Sequence, residues 1–181
     1  MNQPVQEAIR TRRSIREFTP QPVERALLLR IIQAGIWAPS GLNNQPWRFV
    51  LVRDSSIREQ LAGLTQYAHI VRAAPALIAV YLDQEKMYDR VKDHQAAGAC
   101  IQNMLLAAHE LGLGAVWLGQ ILANKEQVNN VLGLSGHYEL AALLAFGHPV
   151  HRSQQSQRQP LETFILHEFG GTVPCNQGGM S

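Results

Sequence analysis

The chain has 181 residues, of which 46% are apolar and 17% are charged, a composition that is typical of a globular domain and excludes a disordered chain. Its 16 Lys and Arg residues against 14 Asp and Glu residues give a net charge of +2, which is too small for a protein whose main partner is nucleic acid. Two cysteines are too few for a disulfide scaffold.

The sequence predicts neither a membrane span nor a secretory signal. A spanning helix needs about 20 apolar residues, whereas the best candidate, Leu111 to Ala123, is shorter and contains three glycines. Residues Met1 to Pro4 carry no basic side chain, and no apolar run follows them. We therefore expect a cytoplasmic protein without a membrane partner.

The first part of the chain predicts two helices, a polar loop and a strand. Apolar residues at helical spacing indicate a short helix over Val5 to Arg12 and a second helix that begins near Glu24 and is stopped by Pro39. The loop from Ser40 to Pro46 then leads into an apolar run of strand length, Trp47 to Val52.

The middle of the chain predicts a third helix, a buried strand and a long helix. Ser56 and Glu59 have the spacing of a capping box and indicate a helix start. The continuous apolar run from Ala76 to Leu82 predicts a strand that is buried on both faces. A helix over Asp93 to Leu111 follows, and Gly112 suits its C-terminal cap.

The last part of the chain continues the alternation of strands and helices. Ala115 to Gly119 and Leu140 to Phe146 predict strands on either side of a helix that Asn124 opens. We interpret the alternation as an α/β or α+β arrangement around one sheet. Residues 1–169 form a single domain in this interpretation, and we expect the glycine-rich residues 170–181 to be a flexible tail.

Three guanidinium groups and a hydroxyl stand close together at the end of the first predicted helix, in the sequence Arg12-Arg13-Ser14-Ile15-Arg16. A phosphate monoester requires several charge-assisted donors, and arginine supplies a rigid fork of them. Arginines in the last turn of a helix also favour the helix dipole. Taken alone, the segment therefore fits either a phosphate site or a solvated helix end.

The loop after the second helix is rich in amide side chains and has prolines near both ends, in the sequence Ala38-Pro39-Ser40-Gly41-Leu42-Asn43-Asn44-Gln45-Pro46. Amides both donate and accept hydrogen bonds, which suits the uracil-like edge of a flavin or its ribityl hydroxyls. They also bond their own backbone in capped turns. The loop alone is consistent with both roles.

A third segment combines glycines with a short apolar run, in the sequence Gly112-Leu113-Gly114-Ala115-Val116-Trp117-Leu118-Gly119. Trp117 stands where a dinucleotide fingerprint would need glycine, and this excludes a Rossmann nucleotide site here. Glycines beside a strand let a flat ring lie against bare backbone, although a helix cap and a core strand also explain the segment. Because His148 and His151 lack a third ligand nearby, we expect no metal site.

In this order, the arginine segment, the polar loop and the glycine segment resemble the nitroreductase family of FMN-dependent oxidoreductases, in its short form. The resemblance covers Val5 to Ile165 and includes Gln102 to Ala108 and Leu143 to Pro149. It implies an α+β fold, an α/β/α sandwich whose mostly antiparallel central sheet is flanked by helices. It also implies an intertwined homodimer with FMN at the interface. The apolar, small-residue face of the helix 93–111 would be buried in that interface.

The resemblance further implies which residues bind the cofactor FMN. The residues that fall where the family holds the phosphate and the pyrimidine side of the ring are Arg12, Arg13, Ser14 and Arg16. Those that fall where the partner subunit contributes to the same flavin are Pro39, Ser40, Gly41 and Asn43. Those that match the strand beside the isoalloxazine, near N5, are Trp117, Leu118 and Gly119. Arg158 matches a late phosphate-binding arginine, and Gln66 or Tyr67 falls near the polar edge of the ring.

The sequence departs from some relatives at two of these places. Ser156 stands where some of them carry a second cationic phosphate ligand, so that Arg13 would have to compensate. Gly119 replaces an acidic residue near N5, which leaves the preference for an electron acceptor open.

The activity that the resemblance implies is oxidation of NAD(P)H by a ping-pong mechanism. NAD(P)H would transfer a hydride to flavin N5 and leave, and a small acceptor such as a nitroaromatic or a quinone would then be reduced. Because the chemistry takes place at N5, we assign no catalytic side chain. Two alternatives stay open: an enzyme on the same scaffold with another metabolite substrate, for example in reductive dehalogenation, and a non-catalytic flavin-binding module.

Overall fold

The helices and strands follow the predicted order with one added helix, α4, in the computed structural model, which describes residues 4–170. The helices are α1 (Pro4–Thr11), α2 (Arg25–Gly35), α3 (Ser55–Ala62), α4 (Ala68–Ala73), α5 (Arg90–Glu110) and α6 (Lys125–Leu132). The strands are β1 (Trp47–Val52), β2 (Ala76–Asp83), β3 (Gly114–Leu118) and β4 (Tyr138–Gly147).

The four strands form one sheet in the order β1-β2-β4-β3, and every neighbouring pair is antiparallel. This confirms the predicted mostly antiparallel sheet. All eight residues of β2 are buried, as its continuous apolar sequence predicts. The two edges of the sheet are therefore β1 and β3, and this places the segments that precede them on opposite sides of the molecule.

The helices cover both faces of the sheet and enclose a separate apolar core on each face. Helices α2 and α5 pack on one face, where a Cβ on Gly35 would come within 2.6 Å of the Met104 side chain. Helices α3, α4 and α6 pack on the other face, around Leu61, Ile70 and Val128. The close approach at Gly35 requires a residue without a side chain.

The helical spacing predicts one shared side of α5 for Ala96, Ala99, Cys100, Asn103, Leu106, Ala107 and Glu110, and of these only Ala96 and Cys100 are buried. Ala97, Ile101 and Leu105 lie in the core, whereas Leu106 and Ala107 are only half-buried. Helix α5 packs against α2 and against strands β2 and β3, so that the stripe facing these elements is buried. The half-buried side lines an apolar groove against α1.

Several helix starts differ from the predictions because other side chains provide the caps. Asp54, and not Ser56, caps α3 by accepting a hydrogen bond from the Ile57 amide at 3.0 Å. Asp89 caps α5, which begins at Arg90 and is therefore longer than predicted. Asn124 makes no cap bond at α6. The predicted C-terminal cap is confirmed, since Gly112 follows α5 with a φ of 75°.

The chain after β4 is exposed along most of its length. Its exposed large apolar side chains are Val150, Leu161, Phe164, Ile165, Leu166 and Phe169. Of the predicted tail, residues 171–181 lie outside the described residues. Among residues 4–170, no helix combines the length and the apolar character that crossing a bilayer requires.

Candidate functional site

The segment Arg12 to Phe18, which we call the arginine arm, lies along the end of the sheet. Ser14 pairs with Ala115 in a parallel bridge, and the Ile15 amide donates to the Ala115 carbonyl at 3.0 Å. The side chain of Ile15 is buried beneath the arm. The arginines that directly follow α1 therefore lie next to the edge strand β3.

The arm and the segment after β4 enclose a cavity of about 330 Å³. Its lining consists of basic and neutral polar residues, namely Arg12, Arg13, Ser14, Arg16, Gln154, Gln155, Ser156 and Arg158. Arg158 donates to the Ser156 hydroxyl and, at 2.9 Å, to the Gln157 carbonyl. The structure thus brings the predicted phosphate ligands of the arm together with the distant Arg158.

The positive charge of this cavity is not compensated within the described residues. Burial, followed by the charges of Arg13 and Arg158, lowers the pKa of Arg12. Within residues 4–170, the buried Nε atoms of Arg12 and Arg13 have no hydrogen-bond partner, and neither residue pairs with a carboxylate. Free donors and unpaired charge at a half-buried site favour a small anion such as a phosphate.

A second cavity of about 370 Å³ adjoins the arm and shares Arg12 and Arg13 with the first. Here His109 Nε2 lies 3.0 Å from the Thr11 hydroxyl, and Arg152 donates to the Gly112 carbonyl at 2.6 Å. Burial, followed by the charges of Arg152, Arg12 and Arg13, lowers the pKa of His109. His109 and Arg152 are not among the predicted site residues, because no local pattern marks side chains that meet only through tertiary packing.

The end of β3 is open to solvent next to the arm. The Trp117 side chain is 43% exposed, whereas Leu118 is buried and offers only its backbone to a ligand. Apart from Gly119 and its two chain neighbours, no described residue has an atom within 4 Å of the position that a Cβ on Gly119 would take. The strand can therefore accommodate a flat molecule at this end.

The side chain of Gln120 ties a distant turn to the end of β3. Its Oε1 accepts hydrogen bonds from the Thr65 hydroxyl at 2.8 Å and from the Gln66 amide at 2.9 Å. These bonds bring the turn with Gln66 and the half-exposed Tyr67 next to the predicted ring-binding strand. Gln120 itself was not predicted, because nothing in its sequence context distinguishes it.

The polar loop Ser40 to Gln45 has an unusual backbone. Leu42, Asn43 and Gln45 have φ values of 54°, 54° and 47°, in the left-handed region that residues with a side chain rarely adopt. A hydrogen bond to α5 holds the loop, since Asn44 Nδ2 donates to Asp93 at 2.7 Å. Such strain is concentrated at functional sites.

The arginine arm and the polar loop lie at opposite corners of the sheet. The loop leads into Trp47, which pairs through Leu82 with Glu139 at the start of β4. The arm contacts Ala115, which pairs with Phe146 near the end of β4. From the length of β4 and the three strand spacings between the edges, the corners are on the order of 25 Å apart. One chain therefore cannot bring both predicted segments to one ligand atom.

An apolar groove runs between α1 and α5, with a volume of about 640 Å³. Its floor contains Ala8, Leu106 and Ala107, and the neighbouring Val5 and Ile9 are largely exposed. Trp37, at the end of α2, is 82% exposed. Apolar surface of this extent is typical of an interface with another protein.

Within residues 4–170, one group of side chains has the spacing of metal ligands, namely Asp83, Glu85 and His137. Arg48 already neutralises Asp83 through an ion pair of 2.6 Å, and His137 Nε2 lies 2.7 Å from the same carboxylate. The hydrogen bonds within the group account for its geometry. It lies outside the predicted site.

Comparison with known proteins gives one consistent family. The family model described as the nitroreductase family matches residues 9–66 and 63–148. The oxygen-insensitive NADPH nitroreductase of Salmonella typhimurium is 32% identical over 171 residues, which cover 86% of this chain and 70% of that protein.

Solved structures with the same fold include two with bound nucleotides. A protein of Desulfovibrio desulfuricans assigned as a nitroreductase, in complex with FMN, is 50% identical, with a TM-score of 0.89, and the match covers 93% of this chain and 98% of that one. The NADPH:FMN oxidoreductase of Vibrio harveyi, complexed with NAD+, is 28% identical, with a TM-score of 0.82 and coverage of 94% and 79%.

Proposed function

The chain belongs to the nitroreductase family, and we propose that it is an FMN-dependent NAD(P)H oxidoreductase that acts as a homodimer. The observation that carries this proposal is the acid-free cluster of guanidinium groups at the edge of β3. A phosphate monoester carries about two negative charges at neutral pH, and such a group would compensate the unpaired charge of Arg12 and Arg13. The FMN complex of a 50% identical chain supports the same cofactor.

The residues of the arginine arm would hold the FMN phosphate. Arg12, Ser14, Arg16 and Arg158 surround the cavity beside β3 and provide hydroxyl and guanidinium donors. Arg13 Nη1 donates to the carbonyls of Arg10 and Arg12, at 2.6 and 2.9 Å, but within the described residues its charge is paired with no carboxylate. Arg13 can therefore supply the charge that Ser156 lacks.

The ring of FMN would lie beside the end of β3. Trp117 and Gly119 leave this surface open, Leu118 contributes backbone groups, and the turn with Gln66 borders it. The chemistry that FMN supplies when bound is reversible two-electron transfer between NAD(P)H and a second small molecule. Since Gly119 has no side chain, the open space admits a flat donor and then a flat acceptor, such as a nitroaromatic or a quinone. This exchange corresponds to a ping-pong order.

The proposed homodimer follows from the separation of the two predicted segments. Pro39, Ser40, Gly41 and Asn43 lie at the corner of the sheet that is remote from Arg12, so that they reach a flavin only in a second copy of the chain. The apolar groove between α1 and α5 and the exposed apolar residues after β4 provide surface for the association. Interfaces of permanent dimers bury about 2,000–5,000 Å².

We also propose that residues 1–169 act as one FMN-binding domain and that the enzyme works in the cytoplasm, where NAD(P)H is supplied. The family model extends without a long gap from residue 9 to residue 148, which supports a single domain. A survey of acceptors would distinguish reduction of nitroaromatics or quinones from another reaction on the same scaffold, such as reductive dehalogenation.

The proposal is tested by the visible absorption spectrum of the purified protein. We expect flavin absorption that is bleached by NADH or NADPH without oxygen and restored by a nitroaromatic or a quinone. Initial rates at several fixed acceptor concentrations should give the parallel double-reciprocal lines of a ping-pong mechanism. A colourless protein that takes up no FMN would contradict the proposal, and a coloured protein that neither nucleotide bleaches would indicate a flavin-binding module.

A further inference from the structure

We propose that the buried carboxylate Asp93 is a positioning residue for the flavin site of the partner subunit, because it fixes the loop Ser40 to Gln45. The inference rests on the proposed function, in which the loop of each chain contributes to the FMN site of the other. Asp93 lies at the start of α5 and belongs to none of the predicted site segments.

Asp93 links the loop to the first turn of α5 through both of its carboxylate oxygens. Oδ1 accepts from Asn44 Nδ2 at 2.7 Å, and Oδ2 accepts from the amides of Tyr88 and Asp89 at 2.9 and 3.0 Å. The side chain is 0% exposed, so that water cannot replace these donors. Burial alone would raise the pKa of Asp93, but the bonds from Asn44 and the amides outweigh it, and the pKa lies below its ordinary value.

The loop depends on this support because its backbone is strained. Three of its residues with side chains have positive φ values, and such conformations persist only where the surroundings enforce them. A second contact acts from the same side, since a Cβ on Gly41 would overlap the ring of Tyr88. Within the loop, the Ser40 hydroxyl accepts from the Gln45 amide at 3.1 Å.

The effect of Asp93 on FMN should therefore appear in the neighbouring chain. The loop lies on the order of 25 Å from the arginine arm of its own chain. If Asp93 is lost, the loop relaxes and the flavin site of the partner subunit loses its contacts, whereas the phosphate ligands of the same chain stay in place. A residue that only stabilises its own chain would not act across the interface.

Hybrid dimers test this prediction. Homodimers of Asp93→Asn should bind FMN on the order of tenfold more weakly than wild type, and homodimers of Arg12→Ala on the order of tenfold to a hundredfold more weakly. Co-expression of an Asp93→Asn chain and an Arg12→Ala chain, each with a different affinity tag, yields hybrid dimers. In the proposed arrangement, one FMN site of the hybrid then carries both substitutions and the other site carries neither. We expect these hybrids to bind one FMN per dimer with wild-type affinity. If no site of the hybrid has wild-type affinity, Asp93 acts within its own chain and the inference is overturned.

Two further variants separate positioning from general stability. Asp89→Ala removes the cap of the same helix, a hydrogen bond of 2.9 Å to the Lys92 amide, without touching the loop. It should lower the melting temperature but leave FMN affinity within about twofold of wild type, since it removes only a cap. An equal loss of affinity in Asp89→Ala and Asp93→Asn would overturn the inference.

Asn44→Ala removes the same bond from the loop side, together with the bond from Nδ2 to the Lys86 carbonyl at 2.9 Å, and keeps the test available if Asp93→Asn does not fold. Its hybrid with Arg12→Ala should also regain one site of wild-type affinity. If the wild-type protein binds no FMN, the proposed function fails and this inference fails with it. If wild type binds FMN and both hybrids lack an intact site, only the inference fails.

Discussion

Gly114 lies so close to Ile15 that a Cβ on the glycine would come within 2.7 Å of the isoleucine Cγ2. Ile15 is the buried residue of the arginine arm, and it is held to β3 through the Ala115 carbonyl. The missing side chain at the first position of β3 therefore determines how closely the arm approaches the sheet. The geometry of the proposed phosphate ligands depends on this contact.

Gly114→Ala should displace the arm and weaken FMN binding. Overpacking of this kind typically lowers the free energy of unfolding by about 1–3 kcal/mol. Urea denaturation and FMN fluorescence titration would measure the two effects. Gly63→Ala is a matched control, because Gly63 has a φ of −64° and its Cβ would lie 3.4 Å from the Gln60 carbonyl oxygen. Unchanged stability and FMN affinity in Gly114→Ala would show that the arm tolerates the added methyl group.

Arg12→Ala should reduce FMN affinity on the order of tenfold to a hundredfold, because it removes charge-assisted hydrogen bonds to the phosphate. Flavin occupancy after dialysis would measure the loss. Arg10→Ala provides the control, since Arg10 is exposed and pairs with Glu7 on the same helix at 2.8 Å. Full occupancy in Arg12→Ala after dialysis would rule out the phosphate assignment.

The pKa of His109 should change when a phosphate binds at the arginine arm. Burial and the neighbouring arginines lower its pKa in the absence of a ligand. A bound anion offsets the positive field, so that FMN should raise the pKa of His109 towards its ordinary value of 6.5. Riboflavin, which has no phosphate, should leave it lower. An NMR titration of the histidine ring would distinguish the two, and equal shifts with both ligands would place the phosphate elsewhere.

Leu106→Glu should disrupt the association of two chains by introducing a charge into the apolar groove between α1 and α5. We expect sedimentation to show a dimer for wild type and a monomer for the variant. Because each proposed site needs both chains, the variant should lose its flavin as well. A dimer that persists in the variant would place the interface on another surface.

The fold could be predicted largely from apolar patterns. The continuous run of β2 and the long repeat of α5 both signal burial, and the structure confirms each element. Helix α4 was not predicted, because its six residues are too few to show a helical repeat. The cap by Asp54 was also missed, since several polar residues precede α3 and only the backbone geometry selects one.

The site was less accessible to sequence reasoning. The charge pattern of Arg12 to Arg16 indicates a phosphate, the family resemblance adds Arg158, and the structure places both at one cavity. Asp93 and Gln120 carry no such pattern, because they act on the Ser40–Gln45 loop and the Thr65–Gln66 turn, which are distant in sequence. Residues that position a site through hydrogen bonds to distant segments are recognisable only in the folded structure.

The separation of the two corners of the sheet also affects whether the protein retains bound flavin at low protein concentration. In the proposed dimer, the anchoring charges belong to one polypeptide, whereas the Ser40–Gln45 loop at the ring comes from its neighbour. Dilution that separates the two polypeptides would leave the flavin bound through its phosphate group alone. Colour would then fade as the preparation is diluted, and excess flavin would shift the equilibrium back towards the dimer.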